Sequence, residues 1–204
     1  MMKLGKQSKA LGTLQPALAL LFATKLFFSA APAAYAGRFE FDPRRTEVRF
    51  SYKMAYTTQR GRFTKVNGTL DYDERAPEKS KINASILTAS LTTGEAIVDN
   101  ELKGAAFFNV NVSPVIAFKS LAVRPQSPTL ADVSGEITVN GITKPVTLKV
   151  SLTPHDDPAL KYDAGARQFI AKTRIQRSAF NMTDYQSMVD DDIDIEIAAI
   201  VRPK

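Results

Sequence analysis

Strict alternation of apolar and polar side chains is the feature that most constrains this chain. In residues 46–54, Val48, Phe50, Tyr52 and Met54 occupy every second position, with polar or charged residues between them. A period of two places one set of side chains against a core and the other in solvent, as in a half-buried antiparallel strand. The same pattern recurs in residues 67–72, 81–91, 114–123, 133–140, 146–152, 168–176 and 193–201. The chain is therefore expected to be all-β.

Turn-forming residues separate these segments at 73–77, 125–128 and 154–158. Proline, glycine, aspartate and serine favour such turns because of their backbone preferences and local hydrogen bonds. Between two alternating segments, Asn140-Gly141 predicts a tight hairpin because both residues tolerate positive φ. Pro145 lies early in the following strand, where a missing N–H donor is tolerated near an edge or an end.

One segment breaks the alternation. In residues 99–108, the spacing of Leu102, Ala105 and Ala106 is helical, which predicts one short helix between two strands. Eight or nine strands with one helix indicate a single domain that is a closed barrel or a sandwich. The interior of a small barrel is either filled by side chains or holds one small ligand, and periodicity does not distinguish the two.

The first 36 residues differ from the rest of the chain. They combine a basic start, the apolar run 17–23 and the small-residue ending Ala34-Tyr35-Ala36, which fits a secretory signal cleaved after Ala36. A membrane anchor is the alternative, but Lys25 would be costly near the middle of a spanning helix. We therefore expect a signal peptide in residues 1–36 and a periplasmic domain in residues 37–204.

The charge pattern argues against nucleic-acid binding. The formal net charge is +6, but four lysines lie in the leader: Lys3, Lys6, Lys9 and Lys25. The remaining basic residues are interspersed with acids, whereas nucleic-acid binding needs a concentrated basic face.

Few residues in the sequence could support catalysis or bind a metal. His155 is the only histidine and lies in a polar, proline-bounded loop without a nucleophile motif, so a solvated loop residue is the favoured interpretation. With no cysteine and one histidine, a zinc site with nitrogen and sulfur ligands is not expected. The acidic run 190–192 lacks the spacing of a calcium loop, and Asp194 and Glu196 alternate with isoleucines like outward-facing strand residues. We expect no enzyme, no metal and no cofactor beyond a non-covalently bound lipid.

Arg177 follows a predicted strand and has two interpretations. It pairs with a carboxylate for structural reasons, or its guanidinium meets the anionic head group of a ligand. The first is favoured, and the second keeps Arg177 as a candidate head-group contact.

The order of several short motifs resembles the YceI-like family, the exported polyisoprenoid-binding proteins with a lipocalin-like barrel. The matching segments are residues 41–50, 61–63, 68–73, 99–110, 114–120, 135–146 and 175–182. The resemblance covers nearly all of residues 39–201. Three positions depart from the family pattern: Arg44-Arg45 replaces a histidine-containing turn, Val98 replaces an arginine, and Asn181 replaces a glycine.

The resemblance implies a single antiparallel lipocalin-like β-barrel of about eight strands with one short helix. It also implies a protein that holds an isoprenoid, quinone or acyl chain inside the barrel. Alternation then assigns an inward apolar set of Val48, Phe50, Tyr52, Ile86, Ile116, Phe118, Ile137, Leu148, Ile175 and Ile195. Phe107 and Phe108 are expected on the helix, where they close one end of the barrel.

Three functional hypotheses follow. The first is lipid binding or carriage in the periplasm, with transient membrane contact. The second is a lipid-modifying enzyme using Asp99, His155 or Arg177, which the scarcity of catalytic groups disfavours. The third is a filled barrel that acts as a partner-binding or stress-response accessory. Exposed barrel edges can dimerise, but no segment of the sequence indicates a dimer interface.

Overall fold

The structure is a computed structural model that describes residues 36–153, 163 and 165–204. Residues 1–35 of the predicted leader and the predicted 154–158 loop, including His155, lie outside the described residues. Within the described residues are one α-helix, α1 (Ala96–Lys103), and eleven strands: β1 (Ala36–Phe41), β2 (Glu47–Met54), β3 (Thr57–Phe63), β4 (Val66–Asp73), β5 (Lys81–Leu87), β6 (Leu91–Thr92), β7 (Val115–Ser127), β8 (Leu130–Val139), β9 (Ile142–Thr153), β10 (Arg167–Gln176) and β11 (Val189–Pro203). Three short 3₁₀ segments are Pro77–Lys79, Thr88–Ser90 and Arg177–Phe180.

The strands form a closed antiparallel barrel, as predicted. The ring runs β1-β4-β5-β7-β8-β9-β10-β11 and closes because β1 also pairs with β11. The remaining strands continue the same wall, with β2 pairing with β11, β3 with β2, and β6 with β3. Ring closure satisfies the backbone donors and acceptors that an open sheet would leave at its edges.

Three of the barrel's strands are interrupted, which explains why eleven segments make an eight-stranded wall. Phe39 pairs with Leu70 in β1–β4, and Val48 pairs with Phe63 in β2–β3. In each pair of segments, β1 with β2, β3 with β4 and β5 with β6, the second segment continues the direction of the first after a short break. The predicted strand 81–91 is therefore interrupted at Thr88–Ser90, and β3 is a strand that the sequence analysis missed.

β7 is longer than expected. The sequence predicts a strand ending at Val123 and a turn over 125–128, but β7 continues to Ser127, with Pro125 paired to Ala131 of β8. The turn prediction is wrong at its first residues because β7 is paired with β8 alone beyond Lys119, and proline is tolerated in a strand that has one unpaired edge. A β-bulge lies between Ser120 and Ala122.

The hairpin prediction is confirmed. Asn140 and Gly141 have φ values of 51° and 74°, the left-handed conformation that a two-residue hairpin turn requires. The Asn140 side-chain amide also donates to the carbonyl of Phe107 at 2.7 Å. The hairpin thereby holds the segment that follows α1 against the barrel.

The helix lies earlier than predicted, in Ala96–Lys103 instead of 99–108. Its end is marked by the Gly104 N–H, which bonds to the carbonyl of Glu101 at 3.0 Å. Phe107 and Phe108 therefore lie in the turn after the helix, not on it, which corrects their expected placement. Among the described residues, no helix has the length and apolar character needed to cross a bilayer.

Candidate functional site

The barrel encloses an apolar cavity of about 240 Å³. The third hypothesis required a filled interior, and the barrel is not filled. All twelve apolar residues proposed from the sequence line this cavity: Val48, Phe50, Tyr52, Ile86, Phe107, Phe108, Ile116, Phe118, Ile137, Leu148, Ile175 and Ile195. Along β11 the lining extends from Ile193 to Val201, roughly 26 Å at about 3.3 Å per residue. The cavity therefore follows much of the length of the barrel wall.

One end of the cavity is closed by buried side chains, and we call it the closed end. Leu102 of α1, Phe107 of the following turn and Met182 after the last 3₁₀ segment all line it and are almost fully buried. Phe108 meets Phe63 edge-on with ring centroids 5.2 Å apart. Phe107 stacks on Tyr185 at 5.9 Å. These contacts form an apolar floor.

The opposite end is lined by exposed residues of the β7–β8 hairpin, and we call it the open end. The lining there includes Pro125, Pro128 and Leu130, all of which are solvent-exposed. Ser127 and Thr129 belong to the same exposed group. Apart from Ala117, on the outer side of β7, no other lining residue in the described part of the chain is exposed. The described lining thus reaches solvent mainly at this hairpin.

The connection between β4 and β5, which packs against β7, also contributes to the open end. Pro77 and Ser80 line the cavity there, and both are partly buried. The Ser80 hydroxyl oxygen is buried and has no hydrogen-bond partner.

The bulge in β7 determines which residues of that strand face the cavity. Before it, Ile116 and Phe118 line the interior; after it, Val123 and Pro125 do so, and the extra residue Leu121 is 64% exposed. One additional residue shifts the alternation by one position. Strict alternation from Phe118 would have turned Val123 outward, so the sequence analysis missed it as a lining residue.

Two aromatic rings of the lining rest on glycines. A Cβ atom at Gly135 would lie 2.7 Å from the ring of Phe118, and one at Gly61 would overlap the ring of Phe50. The missing side chains let both rings lie close to the barrel wall. The rings therefore leave space inside.

Arg177 is buried and holds the chain at the closed end. Its guanidinium donates to four backbone carbonyls, those of Asp190 at 3.1 Å, Met182 at 2.6 Å, Asp184 at 2.8 Å and Val189 at 2.9 Å. Arg177 therefore has the structural role that the sequence analysis favoured, but it binds backbone carbonyls and not the expected carboxylate. Because four of the five N–H donors are used in this way, little of the guanidinium remains for a ligand head group.

The acidic residues considered in the sequence analysis form hydrogen bonds and ion pairs with other parts of the protein. Asp191 accepts from the Ser178 N–H and hydroxyl at 2.8 and 2.7 Å. Asp194 pairs with Arg174 at 2.7 Å on the outer surface. In the described ranges no group of three or more acidic or histidine side chains is arranged to hold a metal ion.

Asp99 stabilises the start of α1. Its carboxylate accepts from the Thr93 N–H at 2.6 Å and from the Thr93 hydroxyl at 2.7 Å. Of the three groups proposed for catalysis, Asp99 and Arg177 are thus engaged in local structure, and His155 is outside the described residues.

The phenols of Tyr52 and Tyr72 are the titratable groups of the lining whose ionisation is altered. Burial raises the pKa of Tyr52. Burial, assisted by the nearby carboxylate of Glu74, raises the pKa of Tyr72. Both phenols therefore remain neutral over a wider pH range than an exposed tyrosine.

Comparison with known proteins identifies the family of this barrel. The model of the YceI-like domain matches residues 39–201. The chain belongs to the YceI-like family. Its relatives include a UPF0312 protein, ECA1782, of Pectobacterium atrosepticum, which is 33% identical over 174 residues, covering 83% of this chain and 88% of that protein. Protein YceI of Salmonella agona is 34% identical over 168 residues, covering 81% and 86%.

Two solved structures share the fold. BcnA of Burkholderia cenocepacia superposes with a TM-score of 0.71 at 22% identity, covering 78% of this chain and 98% of that one. A polyisoprenoid-binding domain from Saccharophagus degradans, implicated in plant cell wall breakdown, gives a TM-score of 0.62 at 11% identity, covering 81% and 98%.

Proposed function

We propose that this YceI-like protein binds a long apolar lipid, such as an isoprenoid, quinone or acyl chain, inside its barrel. The observation that carries the proposal is the apolar cavity with a closed end and an open end. The description of the Saccharophagus degradans barrel as polyisoprenoid-binding supports the same ligand class for this fold. A binding protein needs no catalytic group, and the sequence supplies few.

The energetics of such a ligand fit the lining. Each buried CH₂ group contributes about 0.8 kcal/mol, so affinity grows with chain length without specific polar contacts. The inward faces of β2, β10 and β11 present isoleucine, phenylalanine and tyrosine side chains to this space. A narrow hydrocarbon chain would leave water and contact these side chains along its whole length.

We further propose that the protein works as a carrier in the periplasm. The leader in residues 1–36 supports export, and a ligand this apolar must be taken from and delivered to a membrane or a partner. Pro125, Pro128 and Leu130 place exposed apolar groups beside the open end. Transient contact of this rim with a bilayer would let the lipid pass with little exposure to water.

Native mass spectrometry tests the proposal. The full sequence, with its own leader, is produced in a Gram-negative bacterium, and the protein is purified from the periplasmic fraction without detergent. We expect a protein mass that begins at Gly37, together with a discrete added mass that organic solvent extracts as a prenyl or acyl lipid. A bare protein that also fails to take up added ubiquinone or a polyprenol would contradict lipid binding. Retention of residues 1–36 on a protein that remains in the cytoplasm would contradict export.

A further inference from the structure

We propose that the bound lipid has a fixed direction, with its apolar tail at the closed end and its polar end at the open end beside the Ser80 hydroxyl. The inference rests on the proposed lipid binding and adds to it the position of the polar group. It also moves the expected head-group contact away from Arg177.

The closed end offers little to a polar group. Its floor consists of Leu102, Phe107, Phe108 and Met182, and the Arg177 guanidinium already donates to four carbonyls. The rival polar group in that half of the cavity is the Tyr52 hydroxyl. A head group there would lose its water in exchange for one phenol, and an incompletely paired polar group is costly in an apolar site.

The open end supplies several hydroxyl groups at the boundary with solvent. Ser80, Ser127 and Thr129 line the cavity there. A polar group between them keeps contact with water while the chain behind it is buried. The arrangement therefore satisfies both parts of an amphiphilic ligand.

Ser80 is the residue of this group that most clearly lacks a partner. Its hydroxyl oxygen is buried without a hydrogen bond, although buried hydroxyl groups are normally paired. The residue is held in place because its backbone N–H donates to the Pro77 carbonyl at 3.1 Å. We infer that the Ser80 hydroxyl hydrogen-bonds the polar end of the ligand and selects for lipids that carry one.

Spin-labelled fatty acids test the direction. The lipid-free, ¹⁵N-labelled protein is titrated with 5-doxyl-stearic acid, whose nitroxide is near the carboxylate, and with 16-doxyl-stearic acid, whose nitroxide is near the tail. We expect the first probe to broaden the amide signals of Thr129 and Leu130, and the second to broaden those of Phe107 and Phe108. The reverse pattern, or equal broadening at both ends by both probes, would overturn the inference and leave lipid binding intact. No broadening inside the barrel by either probe would contradict lipid binding itself.

Substitution of Ser80 tests its hydrogen bond. The affinity of 1-hexadecanol, measured by displacement of a fluorescent fatty acid, is expected to fall about two- to tenfold in Ser80→Ala, the effect of one neutral hydrogen bond. Ser85→Ala on the outer face of β5 is the matched control and should leave the affinity unchanged. Equal affinity in the wild type and Ser80→Ala would remove Ser80 from the head-group site.

Discussion

Arg177 shows how one buried side chain organises the closed end of the cavity. Its four carbonyl partners come from the segment between the last 3₁₀ turn and the start of β11. Two of these carbonyls, those of Val189 and Asp190, lie at the start of β11, before its pairing with β10 begins at Asp192. The guanidinium binds these carbonyls where the β10–β11 pairing is absent, and it keeps Met182 against the cavity.

Replacing this arginine should destabilise the barrel. In Arg177→Met four carbonyls lose a donor, of which those of Met182 and Val189 are buried, and we expect a loss of about 3 kcal/mol in the free energy of unfolding. Arg174→Met is the control because the ion pairs of Arg174 with Asp192 and Asp194 are exposed. Its unfolding midpoint in urea should stay close to that of the wild type. Equal midpoints for the two variants would contradict the structural role of Arg177.

The buried phenols predict a loss of stability at high pH. The pKa of Tyr52 is raised by burial, while a tyrosine of the unfolded chain ionises near pH 10. The stability due to the neutral phenol is therefore complete below about pH 10 and is lost as the pH rises through the higher folded pKa. Urea unfolding between pH 9 and 11 should show a smaller decline in Tyr52→Phe than in the wild type. Tyr56→Phe, which alters a fully exposed ring, should decline like the wild type.

At the level of the strand, β7 carries the most consequential irregularity. The Ser120 hydroxyl accepts the Ile82 N–H at 2.8 Å, where the regular pairing of β5 with β7 has ended at Asn83 and Lys119. This bond fixes the bulge to its neighbouring strand. Beyond it, the strand presents Val123 to the cavity and leads to the open end.

Removing the extra residue should leave the far half of the strand facing as it does now. In a chain without Leu121, Ser120 still pairs with Gly135 and Ala122 with Ser134, so regular alternation keeps Val123 towards the cavity. We expect the deletion variant to give a folded protein by circular dichroism and gel filtration. Leu121→Ala keeps the bulge and should also fold normally, because this side chain is largely exposed. Loss of the fold in the deletion variant alone would show that the far half of the strand needs the bulge itself.

The sequence was sufficient for those features that depend on local periodicity. The inward faces of β2, β10 and β11 and the hairpin at Asn140-Gly141 follow from alternation and turn chemistry. The bulge near Leu121 could not be predicted, because it depends on pairing with a strand distant in sequence. The same is true of the carbonyl partners of Arg177 and of the two distinct ends of the cavity, which exist only once the ring is closed.

At the scale of the whole molecule, we expect that a larger side chain can fill part of the cavity without loss of the fold. Ala84 of β5 lines the cavity, and Ala84→Phe places a ring in the space that we assign to the lipid. We expect this variant to fold and to retain little bound lipid by native mass spectrometry. Asn83→Phe, on the exposed face of the same strand, should bind lipid like the wild type. Full lipid occupancy in Ala84→Phe would place the ligand elsewhere.

Lipid binding should also be visible in the stability of the barrel. A ligand that binds the folded state alone, at about 100 times its dissociation constant, adds about 2.7 kcal/mol to the free energy of unfolding. The delipidated protein should therefore unfold at lower urea than the protein loaded with ubiquinone. Identical midpoints would contradict occupancy of the interior.

The closure of the ring between β1 and β11 sets the order of events during synthesis. Phe39–Phe41 pair with residues 201–203, so the first strand of the barrel waits for the last one to emerge from the ribosome. β2 waits as well, because its partner on that side is also β11. A nascent chain that lacks β11 cannot form the complete wall, and pairings this distant in sequence form slowly. The barrel is thus completed only after β11 has emerged, which keeps the chain incompletely folded for longer than a fold built from local contacts.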